Sequence, residues 1–457
     1  MSKLSFSIRA IAGATTALAV LTFPGACQVT RQSGTLAGVW EGTANVPNGR
    51  LVMQLDIRRS EGGWSGFFRV PAESVEIPIE AVQASLDSVT VKVVPGRIFT
   101  GVLNRDSLPG TLELDGRRFP TLFVRAGSAT ARSLRARADS VVAEHRAKPL
   151  VRTATGPAFH DVDNAALHGL IAAADSAHTH SLVLLRDGQL VGEWHSGGDA
   201  RRIEAMSVTK SILNLAAGRL QTLGLLESLD TPVHHFFPQW SEGAASRVTI
   251  CHLMTHTSGI VSDRDTREIY ASDDFVQYAL DSGVGKEPGS EFFYNNSAVN
   301  LLAGVISRIA GQPMDEFLRE GLFAALGITD FEWSRDRAGN PHGMSGLQIH
   351  ARDLAKLGQL VLNRGVWEDR RLIDAAWFDT SMTAGSPLNP RAGMLWWLIR
   401  EKEDIVGYRA DGYLGQYVVI YPESGLVAVR MVMSSPAYDP ATDLFGDFAE
   451  RVRALAR

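Results

Sequence analysis

Ile203-Glu-Ala-Met-Ser207-Val-Thr-Lys210 is the stretch on which the reading of this chain turns. Beyond it, apolar residues recur at Ile212, Leu215, Ala216, Leu220 and Leu223, a helical spacing that predicts a helix opening near Ser207. Three residues apart on such a helix, the Ser207 hydroxyl and the Lys210 amine share one face within hydrogen-bonding reach. A serine hydroxyl is a weak nucleophile at neutral pH until a neighbour accepts its proton. A lysine can do so once burial lowers its pKa. A helix N-terminus at the serine also favours the negative charge that develops during attack. Alone, Ser-x-x-Lys equally describes a surface serine beside a solvated lysine, so its context has to decide.

Two further stretches supply that context. Pro288-Gly-Ser-Glu-Phe-Phe-Tyr294-Asn-Asn296-Ser precedes the apolar helical pattern Leu301-Leu-Ala-Gly-Val-Ile306. A Tyr-x-Asn behind a Pro-Gly turn offers a phenol for proton transfer and an amide to orient a substrate. Asp411-Gly-Tyr413-Leu-Gly415-Gln416-Tyr then enters a predicted strand. Gly415 permits close backbone approach there, so the strand edge is suited to hold an acyl group and present an N–H donor.

In this order, Ser207-x-x-Lys210, Tyr294-x-Asn296 and Tyr413-x-Gly415 resemble the three motifs of class C β-lactamases and their serine-hydrolase relatives. Those relatives include DD-peptidases, family VIII esterases and 6-aminohexanoate-oligomer hydrolases. His252-Leu-Met-Thr-His256-Thr-Ser-Gly259 resembles the family's loop after its first helices. Gly346-Leu-Gln348 followed by Ala351-Arg-Asp-Leu-Ala-Lys-Leu-Gly358 resembles the helix before its final strands. The resemblance runs from Phe159 onward. It implies an α+β fold, an antiparallel sheet flanked by helices plus a helical subdomain of the β-lactamase/transpeptidase-like kind.

The resemblance also implies roles. Ser207 attacks a carbonyl to form an acyl-enzyme, Lys210 and Tyr294 share the proton transfer, and Asn296 holds Lys210 or the substrate amide. The backbone N–H groups of Ser207 and Gln416 would form the oxyanion hole, each worth ~3 kcal/mol of barrier. Tyr413 stands where β-lactam-handling relatives carry a Lys or His, and Leu414 replaces a small or hydroxyl residue. Without that cation a substrate carboxylate loses its partner. The expected substrate is therefore a neutral small-molecule ester, amide or peptide-like compound, and no cofactor is expected. β-Lactamase or DD-peptidase activity is the alternative within enzymes. A penicillin-binding or sensor protein that is acylated without turnover is the alternative outside them.

Outward from this core, residues 1–27 read as an export signal. Lys3 and Arg9 precede the apolar run Ala10–Phe23, and Gly25, Ala26 and Cys27 follow. The segment resembles a lipoprotein cleavage site with Cys27 as the lipidated residue; Pro24 departs from that pattern, so simple secretion is equally expected. Either way the protein is expected to be exported: periplasmic, extracellular or membrane-anchored. Residues 35–125 alternate in strand fashion, as in Leu51-Val-Met-Gln-Leu-Asp-Ile57, with turns such as Asn48-Gly49, Glu61-Gly62-Gly63 and Asp115-Gly116. They predict a small all-β barrel or sandwich, and Gly38-Val-Trp40-Glu-Gly42 resembles the opening of lipocalin-like modules. Residues 126–155 form an Ala/Arg-rich linker, helical from Arg132 to Arg146 by its pattern. Residues 156–457 form the hydrolase domain. It opens on a predicted hairpin, Ser181-Leu-Val-Leu-Leu185 and Gln189-Leu-Val-Gly-Glu-Trp194 about Asp187-Gly188. Strands at Tyr413–Tyr421 and Leu426–Met433 and a helix at Thr442–Leu455 close it.

Several other readings fall away. A net charge of -5 and no long Lys/Arg runs argue against nucleic-acid binding. His178-Thr-His180, His234-His235 and the His252/His256 pair lack the acidic spacing of zinc sites and read as structural. Gly343-Met-Ser345-Gly346-Leu347 misses the last glycine of a nucleophile elbow. Trp396-Trp397 can line a substrate cleft but reads more simply as buried packing, and Tyr417 reads as a packing residue. The two cysteines, Cys27 and Cys251, do not make a disulfide framework.

Overall fold

The computed structural model describes residues 35–46, 49–60, 63–70, 75–85, 88–94, 97–114, 117–128, 131, 148–154, 162–262, 266–435 and 438–456. The export segment 1–27, the helix expected from Arg132 to Arg146, Phe159 and the turn residues at 48, 61–62 and 115–116 lie outside them. The chain divides into two compact units that separate at residues 144–145.

The first unit is built from β1 (Gly38–Val46), β2 (Gly49–Ser60), β3 (Gly63–Val70), β4 (Val75–Pro78), β5 (Ala81–Ala84), β6 (Val89–Val94), β7 (Arg97–Gly101), β8 (Ser107–Leu114) and β9 (Arg117–Arg125). All pair antiparallel in one sheet ordered β4-β3-β2-β1-β9-β8-β7-β6-β5. Its two edges, β4 and β5, are separated by only two residues of sequence. The sheet therefore has to curl until its edges meet, and the Ile79 N–H reaches Gly66 O on β3 at 2.8 Å. Alternation puts Met53, Leu55 and Ile57 of β2 and Val89, Val91 and Val93 of β6 inside, packed with Trp40, Phe68, Phe99 and Phe123. Arg125 lies 4.4 Å over the Trp40 ring, whose Nε1–H donates to Leu36 O.

The second unit has a seven-stranded antiparallel sheet. Its strands are β10 (Leu150–Ala154), β11 (Ser181–Arg186), β12 (Gln189–Ser196), β13 (Trp397–Glu401), β14 (Asp404–Gly412), β15 (Gln416–Tyr421) and β16 (Leu426–Met431). Their order is β10-β12-β11-β16-β15-β14-β13. The expected hairpin is present, with Asp187 (φ 49°) and Gly188 (φ 77°) both left-handed, as a two-residue turn between twisted strands requires. Period-2 alternation gives the sheet two apolar faces. Leu182, Leu184, Val419 and Ala428 pack under α1 (Asn164–Ser176) and a C-terminal helix (Phe448–Arg453). Val183, Val418, Val427 and Val429 join the larger core. That core holds α2 (Val208–Thr222), α3 (Asn296–Ala310) and α4 (Ala351–Leu362).

Four boundaries differ from expectation, the first being that Leu150–Ala154, inside the stretch expected as linker, form β10 and pair with β12. The strand predicted at Tyr413–Tyr421 starts at Gln416, because Tyr413–Gly415 form a tight turn reversing the chain between β14 and β15, with Leu414 at φ 69° and Gly415 at φ 80°. The strand predicted to end at Met433 stops at Met431. The helix predicted over Thr442–Leu455 is two short helices, Pro440–Asp443 and Phe448–Arg453, interrupted at Phe445 (φ 55°).

Candidate active site

Ser207 sits where a short strand turns into α2. Ile203–Glu204 pair with Gln348–Ile349, and the Ala205 N–H reaches Leu347 O at 2.7 Å. Met206 then takes φ 49°, an uncommon conformation for a side chain of that size, and swings Ser207 to the cap position of the helix. The first N–H groups of a helix lack intrahelical acceptors, so the backbone around Ser207 faces outward with a partial positive charge.

Lys210 lies one turn on and is 3% exposed. Its Nζ is 2.8 Å from Ser207 Oγ and donates to Met344 O at 2.7 Å. It also lies 5.0 Å from the centre of the Tyr294 ring. Burial pushes the Lys210 amine below the ordinary lysine range, opposed in part by the Tyr294 oxygen. The next polar side chains of α2 grip the loop before β13. Ser211 Oγ–H donates to Leu395 O at 2.6 Å, and Asn214 Nδ2 to Met394 O at 2.8 Å.

Tyr294 is delivered by the loop that enters α3. Asn295 caps that helix, its Oδ1 accepting from Ala298 N–H at 2.9 Å and its Nδ2 donating to Ile260 O at 2.8 Å. The backbone N–H of Asn295 donates to His256 Nδ1 at 3.2 Å, which fixes that nitrogen as an acceptor. Burial, aided by the Lys210 charge, drives the His256 pKa down to about 3, so the ring is neutral. His256 and Tyr294 lie 4.7 Å apart between ring centres, and Trp397 stacks nearly parallel to Tyr294 at 6.2 Å.

Ser207, Lys210, Ser211, His256, Tyr294, Leu395, Trp397 and Asp411 line one cavity. The structure thus brings Ser207, Lys210 and Tyr294 together. The other expected residues are not among those lining that cavity. Asn296 is half-buried at the first position of α3, outside that lining. Tyr413 is 59% exposed. A Cβ on Gly415 would meet Arg430 Nη1 at 2.3 Å and Leu444 O at 2.6 Å, so this glycine makes room for a buried arginine, not for an acyl group. Gln416 is fully buried opposite Gly412, its side chain hydrogen-bonded in both directions to the Val432 backbone. The close approach comes three residues earlier than expected: a Cβ on Gly412 would sit 2.6 Å from Ala205 O, two residues before Ser207.

The Trp pair divides. Trp396 is 3% exposed in the core, while Trp397 lines the cavity. The signal for His256 lay in the His-Thr-Ser-Gly segment, and Met344 had none. Asp411 gave none. Its carboxyl is raised by burial, Oδ2 takes Arg409 at 2.6 Å, and Oδ1 has no partner among the described residues.

The profile of the β-lactamase family matches residues 167–447, more than half of the chain, and the chain belongs to that family. Penicillin-binding protein 4 of Amycolatopsis lactamdurans is 28% identical over 269 residues, covering 48% of this chain and 68% of that protein. Esterase EstB of Burkholderia gladioli is 28% identical over 184 residues, or 35% of this chain and 46% of the esterase. The matched segments span between 36% and 68% of the curated relatives' own lengths. Among solved structures, a penicillin-binding protein homologue from Caulobacter crescentus superposes with a TM-score of 0.52 at 15% identity, over 66% of this chain and 99% of its own. That likeness concerns the fold.

Proposed function

We propose that the protein is an exported serine hydrolase that cleaves neutral esters or amides through an acyl-enzyme on Ser207. The buried Lys210 amine, 2.8 Å from Ser207 Oγ, carries this reading. A lysine held below its ordinary pKa takes the hydroxyl proton as Oγ attacks the carbonyl, and Tyr294 passes a proton to the leaving group. The Ser207 N–H at the head of α2 is one oxyanion donor. The second comes from the β14 edge, where Asp411 lines the cavity and Gly412 abuts Ala205, and not from buried Gln416. Water then releases the acyl group.

The preference for neutral substrates is supported by the charges near the cavity. Lys210 is the only cation among the residues lining the cavity, and the nearest cation along β14, Arg409, is already paired with Asp411. The stacked Tyr294 and Trp397 rings offer an apolar wall. Export, with or without a lipid on Cys27, is supported by the basic-then-apolar pattern of residues 1–27.

A substrate series tests this. The protein is expected to turn over p-nitrophenyl butyrate continuously and nitrocefin at least about 100-fold more slowly. A single stoichiometric burst without turnover would instead establish an acylated sensor. Nitrocefin hydrolysis matching the ester would remove the argument from the charges at the cavity.

A further inference from the structure

Lys210 does not act from a free side chain. Inside the protein its Nζ donates to Met344 O, and Met344 is itself held in place. Asn300, 2% exposed on α3, accepts two backbone donors on one oxygen: Gly343 N–H at 2.9 Å and Met344 N–H at 3.0 Å. Gly343 lies so close to the same helix that a Cβ there would be 2.2 Å from Val299 O. The helix that presents Tyr294 at its head therefore also grips the carbonyl that receives the lysine.

The consequence lies in the geometry of an amine. A neutral amine has two N–H bonds and one lone pair. With one N–H donated to Met344 O and the other turned toward Tyr294, the lone pair is left for the Ser207 hydroxyl. The 2.8 Å contact then runs from Oγ–H to Nζ, the direction that proton abstraction needs. With that carbonyl displaced, rotation about Cε–Nζ spreads the lone pair over several directions. A carbonyl contact also favours the ammonium, so it opposes the effect of burial.

We propose that Asn300 is a positioning residue for Lys210, fixing through the Gly343–Met344 backbone the acceptor that turns the lysine lone pair onto Ser207. This rests on the reading of Ser207 as nucleophile. Asn300 Nδ2 is buried without a partner among the described residues, so Oδ1 is the atom the site uses. That makes two substitutions informative. Asn300→Leu removes the acceptor and strands both N–H groups. Asn300→Asp keeps an acceptor for both and adds a negative charge near Lys210.

The test is the pH dependence of two rates on the full chain: labelling of Ser207 by an alkyl fluorophosphonate, and kcat and KM for p-nitrophenyl butyrate. Asn300→Leu is expected to lower the labelling rate and kcat about 10- to 100-fold with KM within about threefold, as loss of orientation does. Asn300→Asp is expected to keep more activity at high pH while the acid limb of its profile moves to higher pH. A lower Tm in both variants with the parent's rates and pH profile would show a structural role alone and overturn the proposal. If Asn300→Leu does not fold, Asn300→Asp decides, and an unmoved acid limb overturns it. A parent enzyme that the probe does not label would instead overturn the reading of Ser207 itself.

Discussion

Two serine constellations occupy the second unit, and the one with the more familiar composition is the buried one. On the sheet, Ser181 of β11 faces His195 of β12, with Oγ 2.9 Å from Nδ1. His195 Nε2 lies 2.7 Å from Glu193 Oε1, and Arg352 at the start of α4 closes on the other carboxylate oxygen. A hydroxyl, an imidazole and a carboxylate thus stand in line as in a hydrolytic triad. Yet Ser181 is 1% exposed and His195 2%, packed between sheet and helix. At α2, Ser207 has only a lysine and a phenol, but it opens onto a cavity at the head of a helix. Hydrogen-bond order alone does not make a nucleophile. It also needs a place for the carbonyl and a donor for the oxyanion. The buried set instead satisfies polar groups inside the sheet. Burial would raise the Glu193 carboxyl, but His195 and Arg352 hold it below the usual range.

The largest expected effect sets the two serines against each other. Ser207→Ala should lower ester turnover by at least about 1,000-fold, while Ser181→Ala leaves it within about twofold. Loss of activity in both, with both folded by circular dichroism, would make the buried set part of the catalytic machinery. Next comes Tyr294→Phe, expected to lower kcat about 100- to 1,000-fold as removal of a proton-transfer group does. An unimpaired Tyr294→Phe enzyme would leave Lys210 to act alone. For the buried set the effect should fall on stability instead. Glu193→Leu strands the buried His195 N–H, while the half-exposed Arg352 turns to water, and should cost about 1 to 2 kcal/mol in urea unfolding without changing kcat per folded molecule.

A pH effect, rather than a substitution, singles out His256, the histidine of the open site. Its folded pKa of about 3 lies below the ordinary 6.5, so below pH 6.5 the unfolded chain takes up a proton that the folded one refuses. The stability due to this ring is therefore complete above pH 6.5 and lost as the pH falls toward 3, by at most about 1.4 kcal/mol per pH unit. Its ring resonances should not titrate between pH 7 and 5, and a midpoint in that window would contradict the neutral state.

The sequence alone determined what local chemistry and periodicity can encode. Helical spacing after Ser207 put serine and lysine on one face, Asp187-Gly188 specified the hairpin, and alternation announced the strands of both units. The order of the three motifs, through family resemblance, pointed to Ser207, Lys210 and Tyr294, which the fold brings to one cavity. Tertiary structure decided what depends on residues distant in sequence. The alternation of Tyr413 and Leu414 looks like strand, but the chain must reverse there, so close approach falls to Gly412 and the cavity wall to Asp411. Asn300, Met344 and Trp397 carry no local signature, because their roles are set by a carbonyl or a ring that arrives from more than 40 residues away. The same is true of Ser181, whose triad partners give it the look of a nucleophile while the helix packed over them removes the access one requires.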